Sequence, residues 1–139
     1  LAKKFGVEYE YIIDEETIPD HPNTADIHMT GVNGYEMMVR GQSIGGGKIK
    51  IVRINDIDVE FTGEYCTLIV KQLDTPGVIA HITQCLSDCN VNIAFMRLFR
   101  EDKGATAFTV VESDEIIPEN ILEKIRQNEN VHELMLIQM

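Results

Sequence analysis

Apolar and polar side chains alternate through much of the first 62 residues, and helical spacing appears only later. Residues 7–13 (Val-Glu-Tyr-Glu-Tyr-Ile-Ile) carry aromatic and β-branched side chains and predict a strand. A polar connection from Asp14 to Pro22 follows, broken by Pro19 and Pro22. Ala25, Ile27 and Met29 then alternate with Thr24, Asp26, His28 and Thr30, the period of a half-buried strand. Asn33-Gly34 signals a hairpin, since both residues tolerate positive φ, and the return puts Tyr35, Met37 and Val39 on one face. Gly45, Gly46 and Gly47 interrupt the pattern before Ile49 and Ile51 resume it. Asn55-Asp56 predicts a second turn, followed by Ile57, Val59 and Phe61. The expectation is a meander of four or five strands with almost no helix. Nothing in this segment covers its apolar face, so a helical layer supplied from outside the chain is expected there.

After Gly63 the pattern changes. Cys66 to Gln72 reads as a strand, and Asp74-Thr75-Pro76-Gly77 as a turn that starts a helix, with Thr75 as cap and Pro76 at the first helical position. Val78, Ile79, Ile82, Leu86 and Cys89 keep helical spacing over 77–89. A strand over 91–100, a tight turn from Glu101 to Gly104 and a strand over 105–111 form a hairpin. Pro118 opens a second helix with Ile121, Leu122 and Ile125 on one face, and 131–137 is a last strand. The order βαββαβ is the ferredoxin-like split motif. The fold class is α+β, with a strand-rich partial domain at 1–62, a hinge at 63–65 and a ferredoxin-like domain at 66–139. The split motif places the strand 91–100 at a sheet edge. Exposed edges pair, so a homodimer through that strand is expected.

With 44% apolar and 25% charged residues the composition is that of a globular protein. A net charge of −11 argues against nucleic acid and anionic lipid as partners, because binding either rests on basic charge. The acidity is even: residues 1–63 hold 6 basic and 11 acidic side chains, and 64–139 hold 6 and 12, so there is no basic arm or acidic tail. No apolar run approaches the roughly 20 residues of a membrane helix. Three cysteines, Cys66, Cys85 and Cys89, lie inside apolar periodic segments, which points to reduced thiols in a cytoplasmic protein. The chain begins at Leu1 without a leader pattern and reads as a piece of something longer.

Two stretches invite chemistry. The Asp74-Thr75-Pro76-Gly77-Val78 turn leaves amides at a helix N-terminus, which attract a carboxylate. Asp74 can meet an ammonium group, and the Asn92 side chain, ahead of Ile93, both donates and accepts. The plain alternative is that the Pro-Gly pair only turns the chain and Asn92 only caps a strand. In Ser43-Ile44-Gly45-Gly46-Gly47-Lys48, Lys48 is followed by Ile49 and a strand. A nucleotide loop needs a helix there, so nucleotide binding is not expected. Consecutive glycines do let backbone amides approach an anion, with Lys48 or Arg40 as counter-charge. A bulge or hinge between strands is the alternative. His21 lies in a Pro-flanked loop, and His28, seven residues on, has no third ligand near in sequence, so no metal site is expected.

Leu73-Asp74-Thr75-Pro76-Gly77-Val78-Ile79, with Asn92-Ile93 after the helix, resembles the ACT domain, a small amino-acid-binding regulatory module. The resemblance covers about 66–139 and implies ligand contacts at Asp74, Thr75, Gly77, Val78, Asn92 and Ile93. His21-Pro22-Asn23-Thr24-Ala25 followed by Ser43-Ile44-Gly45-Gly46-Gly47-Lys48-Ile49 resembles the allosteric substrate-binding domain in β subunits of bacterial iron–sulfur-dependent L-serine dehydratases. In that family a further segment with a Ser-Ser-Ser-His-Thr motif precedes these residues. The resemblance implies conversion of L-serine to pyruvate and ammonia by the whole enzyme. A [4Fe–4S] cluster on a catalytic α subunit would act as Lewis acid at the serine hydroxyl. No cofactor is implied on this chain. L-serine would be its effector or substrate, Ser43, Gly45, Gly46, Gly47 and Lys48 a second ligand pocket, and His21 and Asn23 would face the catalytic chain. Two other readings remain: an amino-acid sensor of another enzyme such as phosphoglycerate dehydrogenase, or a module that only dimerises.

Overall fold

In the computed structural model Thr24–Thr30 (β1), Glu36–Gly45 (β2), Lys48–Ile54 (β3) and Ile57–Phe61 (β4) form an antiparallel sheet in the order β1-β2-β3-β4. The structure describes residues 2–18, 20–100 and 102–138; Pro19 and Glu101, at which a break and a turn were expected, lie outside the described residues, as do Leu1 and Met139. Paired residues such as Ile27 with Val39 and Met29 with Met37 share a face, as the alternation requires. The glycine run is a hairpin: Gly45 pairs with Lys48, and Gly46 and Gly47 between them have φ of 62° and 77°. Two consecutive positive φ values match the twist of the flanking strands, and glycine adopts them at least cost. Asn55 makes the next turn at φ 52° and ties it to β2, its N–H donating to the Met38 carbonyl at 2.8 Å and its Oδ1 accepting from the Met38 N–H at 2.9 Å.

Cys66–Leu73 (β5), Ile93–Arg100 (β6), Thr106–Ser113 (β7) and Val131–Ile137 (β8) form a second antiparallel sheet, ordered β6-β7-β5-β8. Helices Val78–Ser87 (α1) and Glu119–Arg126 (α2) connect β5 to β6 and β7 to β8, which completes βαββαβ. The strand expected over 91–100 starts at Ile93 and is an edge of this sheet. Leu68, Val70 and Val111 face the helices and pack with Val78, Ile82, Leu86, Ile117, Ile121 and Ile125. Thr75 does not cap α1, and Pro76 is not its first residue. The helix begins at Val78 because Gly77, at φ 94°, is left-handed and lies outside the helical region.

The opposite face of the second sheet is covered too. Ile69, Phe108 and Val110 pack against Ile54, Val59 and Phe61, with Met37, Val39, Ile51 and Ile57 around them. The apolar face of the meander is therefore covered by the second sheet of the same chain, and the expected outside helical layer is not what buries it. The molecule has three layers, sheet on sheet on helices. Each fully buried Val or Phe at that seam contributes roughly 1.5–3 kcal/mol. The 7–13 segment, read as a strand, is not one here: it pairs with no strand, and Tyr11, Ile12 and Ile13 are each more than four-fifths exposed. A strand pattern without a partner to satisfy its backbone groups does not make a strand. Among the described residues no helix is long and apolar enough to cross a membrane.

Candidate functional site

β5 delivers Asp74 to the end of the second sheet. Its N–H donates to the Ala105 carbonyl at 2.8 Å, and its Oδ2 accepts from the Arg100 Nη1 at 3.3 Å and the Gly104 N–H at 3.2 Å. The Asp74 carboxylate is thus held by the last residue of β6 and the β6–β7 turn. Beside it the Thr75 hydroxyl is buried and has no hydrogen-bond partner among the described residues. The first α1 bond closes from the His81 N–H to the Gly77 carbonyl, so the amides of Val78, Ile79 and Ala80 have no helical acceptor. A carboxylate acceptor, a guanidinium, a hydroxyl and helix N-terminal amides meet at this corner. That set suits the charged groups of an amino acid.

Asn92 is not at this corner. It precedes Ile93, whose partner on β7 is Ser113, whereas Arg100 pairs with Ala107. Eight residues of strand separate the two ends by roughly 23 Å. Asn92 is exposed; its Nδ2 donates to Asp114 Oδ2 at 3.0 Å and its N–H to Glu115 Oε2 at 2.8 Å. Asp74, Thr75, Gly77 and Val78 are therefore brought together within one chain, and Asn92 and Ile93 are not brought to them. Arg100, Asp114 and Glu115 were not singled out from the sequence; only the hairpin partnership of 91–100 with 105–111 hinted at Arg100.

The second pocket residues form a different cluster. Ser43 donates its N–H to the Asn23 carbonyl at 2.9 Å, so the His21–Asn23 loop and the glycine hairpin lie at one end of the first sheet. The His21 Nδ1 accepts the Asn23 N–H at 3.3 Å, and the His21 carbonyl accepts the Thr24 hydroxyl at 2.6 Å. Lys48 Nζ pairs with Glu64 Oε1 at 3.0 Å, and Arg40 is held by Asp26. Gly47 and Lys48 rim a cleft of about 640 Å3 between the two sheets, walled by Met37, Val39, Ile51, Met135 and Ile137. The cleft is apolar, and its charged rim is already paired.

The three cysteines stand apart from both clusters. Cys85 is buried on α1, and burial, with Asp88 nearby, pushes its thiol up from the ordinary value. The Cys66 thiol meets Gln138 Oε1 at 3.1 Å, and Lys124 Nζ lies 3.8 Å from the Cys89 sulfur. Among the described residues no three His, Cys, Asp or Glu side chains gather as metal ligands would.

Residues 67–130 match the ACT domain family. Over 131 residues the chain is 32% identical to a probable L-serine dehydratase β chain of Bacillus subtilis, covering 94% of this chain and 59% of that one. It is 34% identical over 121 residues to the L-serine dehydratase β chain of Peptoniphilus asaccharolyticus, covering 87% and 54%. A D-3-phosphoglycerate dehydrogenase of Methanocaldococcus jannaschii is 29% identical over 97 residues, which cover 70% of this chain and 18% of the dehydrogenase. The chain thus spans a little over half the length of the β chains it matches. Residues 67–130 are an ACT domain, and the chain as a whole is related to the β chains of L-serine dehydratase.

Proposed function

We propose that this chain is the regulatory, amino-acid-binding part of an L-serine dehydratase and senses L-serine on behalf of a catalytic α subunit in the cytoplasm. The observation that carries it is the Asp74–Arg100–Thr75 corner, which offers groups of both signs and an unpartnered hydroxyl beside a free strand edge. In this reading 66–139 is the sensing domain and 1–62 part of an allosteric substrate-binding domain. His21 and Asn23 face the catalytic chain. Turnover belongs to the α subunit with its [4Fe–4S] cluster, and no step of that chemistry is assigned to residues here.

The separation of Asp74 from Asn92 gives the proposed homodimer a specific form. Two β6 edges pairing antiparallel about a two-fold axis put the Arg100 end of one strand against the Ile93 end of the other. Asn92 of the partner subunit then reaches the corner at Asp74, with Asp114 and Glu115 of the partner subunit behind it. The half-exposed side chains of Phe95 and Leu98 along the free edge favour this seam. Ligand binding and dimerisation are then linked, because each site is completed by the second chain.

Calorimetric titration with L-serine, with D-serine as control, tests the reading. Stereoselective binding abolished by Asp74→Ala supports it. Heat that survives Asp74→Ala and is lost in Gly46→Val moves the ligand to the glycine hairpin, and no heat with either enantiomer leaves a dimerising module. The phosphoglycerate dehydrogenase relatives favour a second reading, a sensor of that enzyme. Co-purification with a cysteine-bearing α chain separates the two.

A further inference from the structure

We propose that residues 7–13 are a strand in reserve for the free edge of β1 and dock there antiparallel, with Tyr11 opposite Ile27 and Glu10 opposite His28. In this structure the two parts stand apart. β1 is the outer strand of its sheet, so one row of its backbone groups faces no neighbour. Ile27 and Met29 share the covered face of the sheet with Val39 and Met37, yet they overhang the second sheet and stay 51% and 43% exposed. The edge therefore lacks both a hydrogen-bonding partner and an apolar neighbour. Val7, Tyr9, Tyr11 and Ile13 form one apolar face of a segment that pairs with nothing among the described residues.

Parity and charge select the register. Side chains of paired residues lie on one face, so odd-numbered residues of the segment must meet Ala25, Ile27 and Met29. Three such registers are within reach. One places Glu10 opposite Asp26 and another places Asp14 opposite Asp26, both like-charge pairs. The third sets Ile13 on Ala25, Tyr11 on Ile27 and Tyr9 on Met29, with Glu10 facing His28 and Asp14 facing Thr24. It opposes no two carboxylates and gives Met29 an aromatic neighbour.

The connection is already turned at both ends. Asp14 Oδ1 accepts the N–H groups of Glu16 and Thr17 at 2.9 Å, and the His21–Thr24 turn leads into β1. A tether this short presents the segment at an effective concentration on the order of millimolar, above that of a second copy in dilute solution. The occupant is therefore residues 7–13 of the same chain. Docked, they make the first sheet five-stranded and close β1 to edge pairing, which leaves the β6 edge free for a second subunit.

Amide hydrogen exchange on the 139-residue chain, resolved by residue and repeated across protein concentrations, tests this. Docking slows alternate amides of 8–12 and the outward amides of β1 by about ten-fold or more, independent of concentration. Odd-numbered residues of β1 bond to β2, as the Ser43 N–H to the Asn23 carbonyl and the Gly31 N–H to the Tyr35 carbonyl show, so Ile12, opposite Asp26, donates to β1 in this register. Ile12→Pro removes that donor, abolishes the protection and leaves the β2–β3 amides unchanged. Free exchange throughout 8–12 in the parent chain overturns the proposal. Protection that rises with concentration overturns it as well, because the edge then takes the segment of a second copy.

Discussion

The guanidinium of Arg97 on β6 donates to the buried carboxylate of Glu112 on β7 at 3.2 Å and, with the same Nη1, to the Glu60 carbonyl of β4 at 3.0 Å. Glu112 Oε1 also lies 3.5 Å from the Thr62 N–H, on the link between the sheets. One ion pair thus ties the free edge of the second sheet to the last strand of the first. Arg97→Met leaves the Glu112 carboxylate, 4% exposed at its side chain, without its charge partner. A buried pair broken this way costs about 3–5 kcal/mol; the 38% exposure of Arg97 places this one nearer 2 kcal/mol. Arg97→Met with Glu112→Gln recovers part of that loss. Urea unfolding of the parent, Arg97→Met, Glu112→Gln and the double variant measures it, and losses that simply add would mean that the pair is not coupled.

Gly46 and Gly47 separate conformational from chemical requirements. A Cβ at either position meets nothing within 4 Å, so substitution is limited by positive φ alone. Gly46→Val costs about 1–2 kcal/mol through left-handed strain, while Gly46→Asn, which tolerates this turn, is close to neutral. The melting temperatures should follow that order. If Gly46→Asn keeps the parent stability yet loses an L-serine signal seen in the parent, the hairpin binds the ligand through its backbone.

Asp26 sets an acid-side dependence. The Arg40 Nε and Nη2 donate to its two oxygens at 2.6 and 2.7 Å, and this hydrogen bonding holds its carboxyl below the usual 3.8. A lowered folded-state value makes the contribution fully present above 3.8 and lost as pH falls through the lowered value. The pair lies at the surface, so its worth is about 1 kcal/mol or less. Asp26→Asn should be less stable than the parent at neutral pH, with the gap closing below 3.8. A gap that persists unchanged to pH values well below that assigns the effect to packing.

The second half of the fold is readable because its signals are local. The last strand falls on Val131–Ile137 as expected, and the Pro118 and Pro-Gly punctuation brackets both helices. The three-layer arrangement is less apparent, although the trace is there. Thr67–Val70 on β5 and Ala107–Ser113 on β7 are unbroken buried runs, the mark of strands covered on both faces. Read only as strands, they do not reveal that the first sheet covers the second. The candidate site divides the same way. Its loop is a motif, while Arg100 joins it through a strand register that no short pattern encodes, and Asn92 is carried away by the length of β6.

That separation yields a decisive test of the dimeric site. If each site takes Asp74 from one chain and Asn92 from the other, Asp74→Ala and Asn92→Ala each abolish binding of L-serine in their own homodimers. In a heterodimer of the two variants, one site carries both substitutions and the other carries neither. Equal mixing after dissociation and reassociation gives half heterodimers on statistical grounds, so about one quarter of the parent's binding sites should return, with parent affinity. Titration of the mixture against the separate variants measures the recovered fraction. If every ligand contact lay within a single chain, Asn92→Ala, roughly 23 Å from the Asp74 corner, would bind like the parent in its own homodimer, and mixing would recover no further sites.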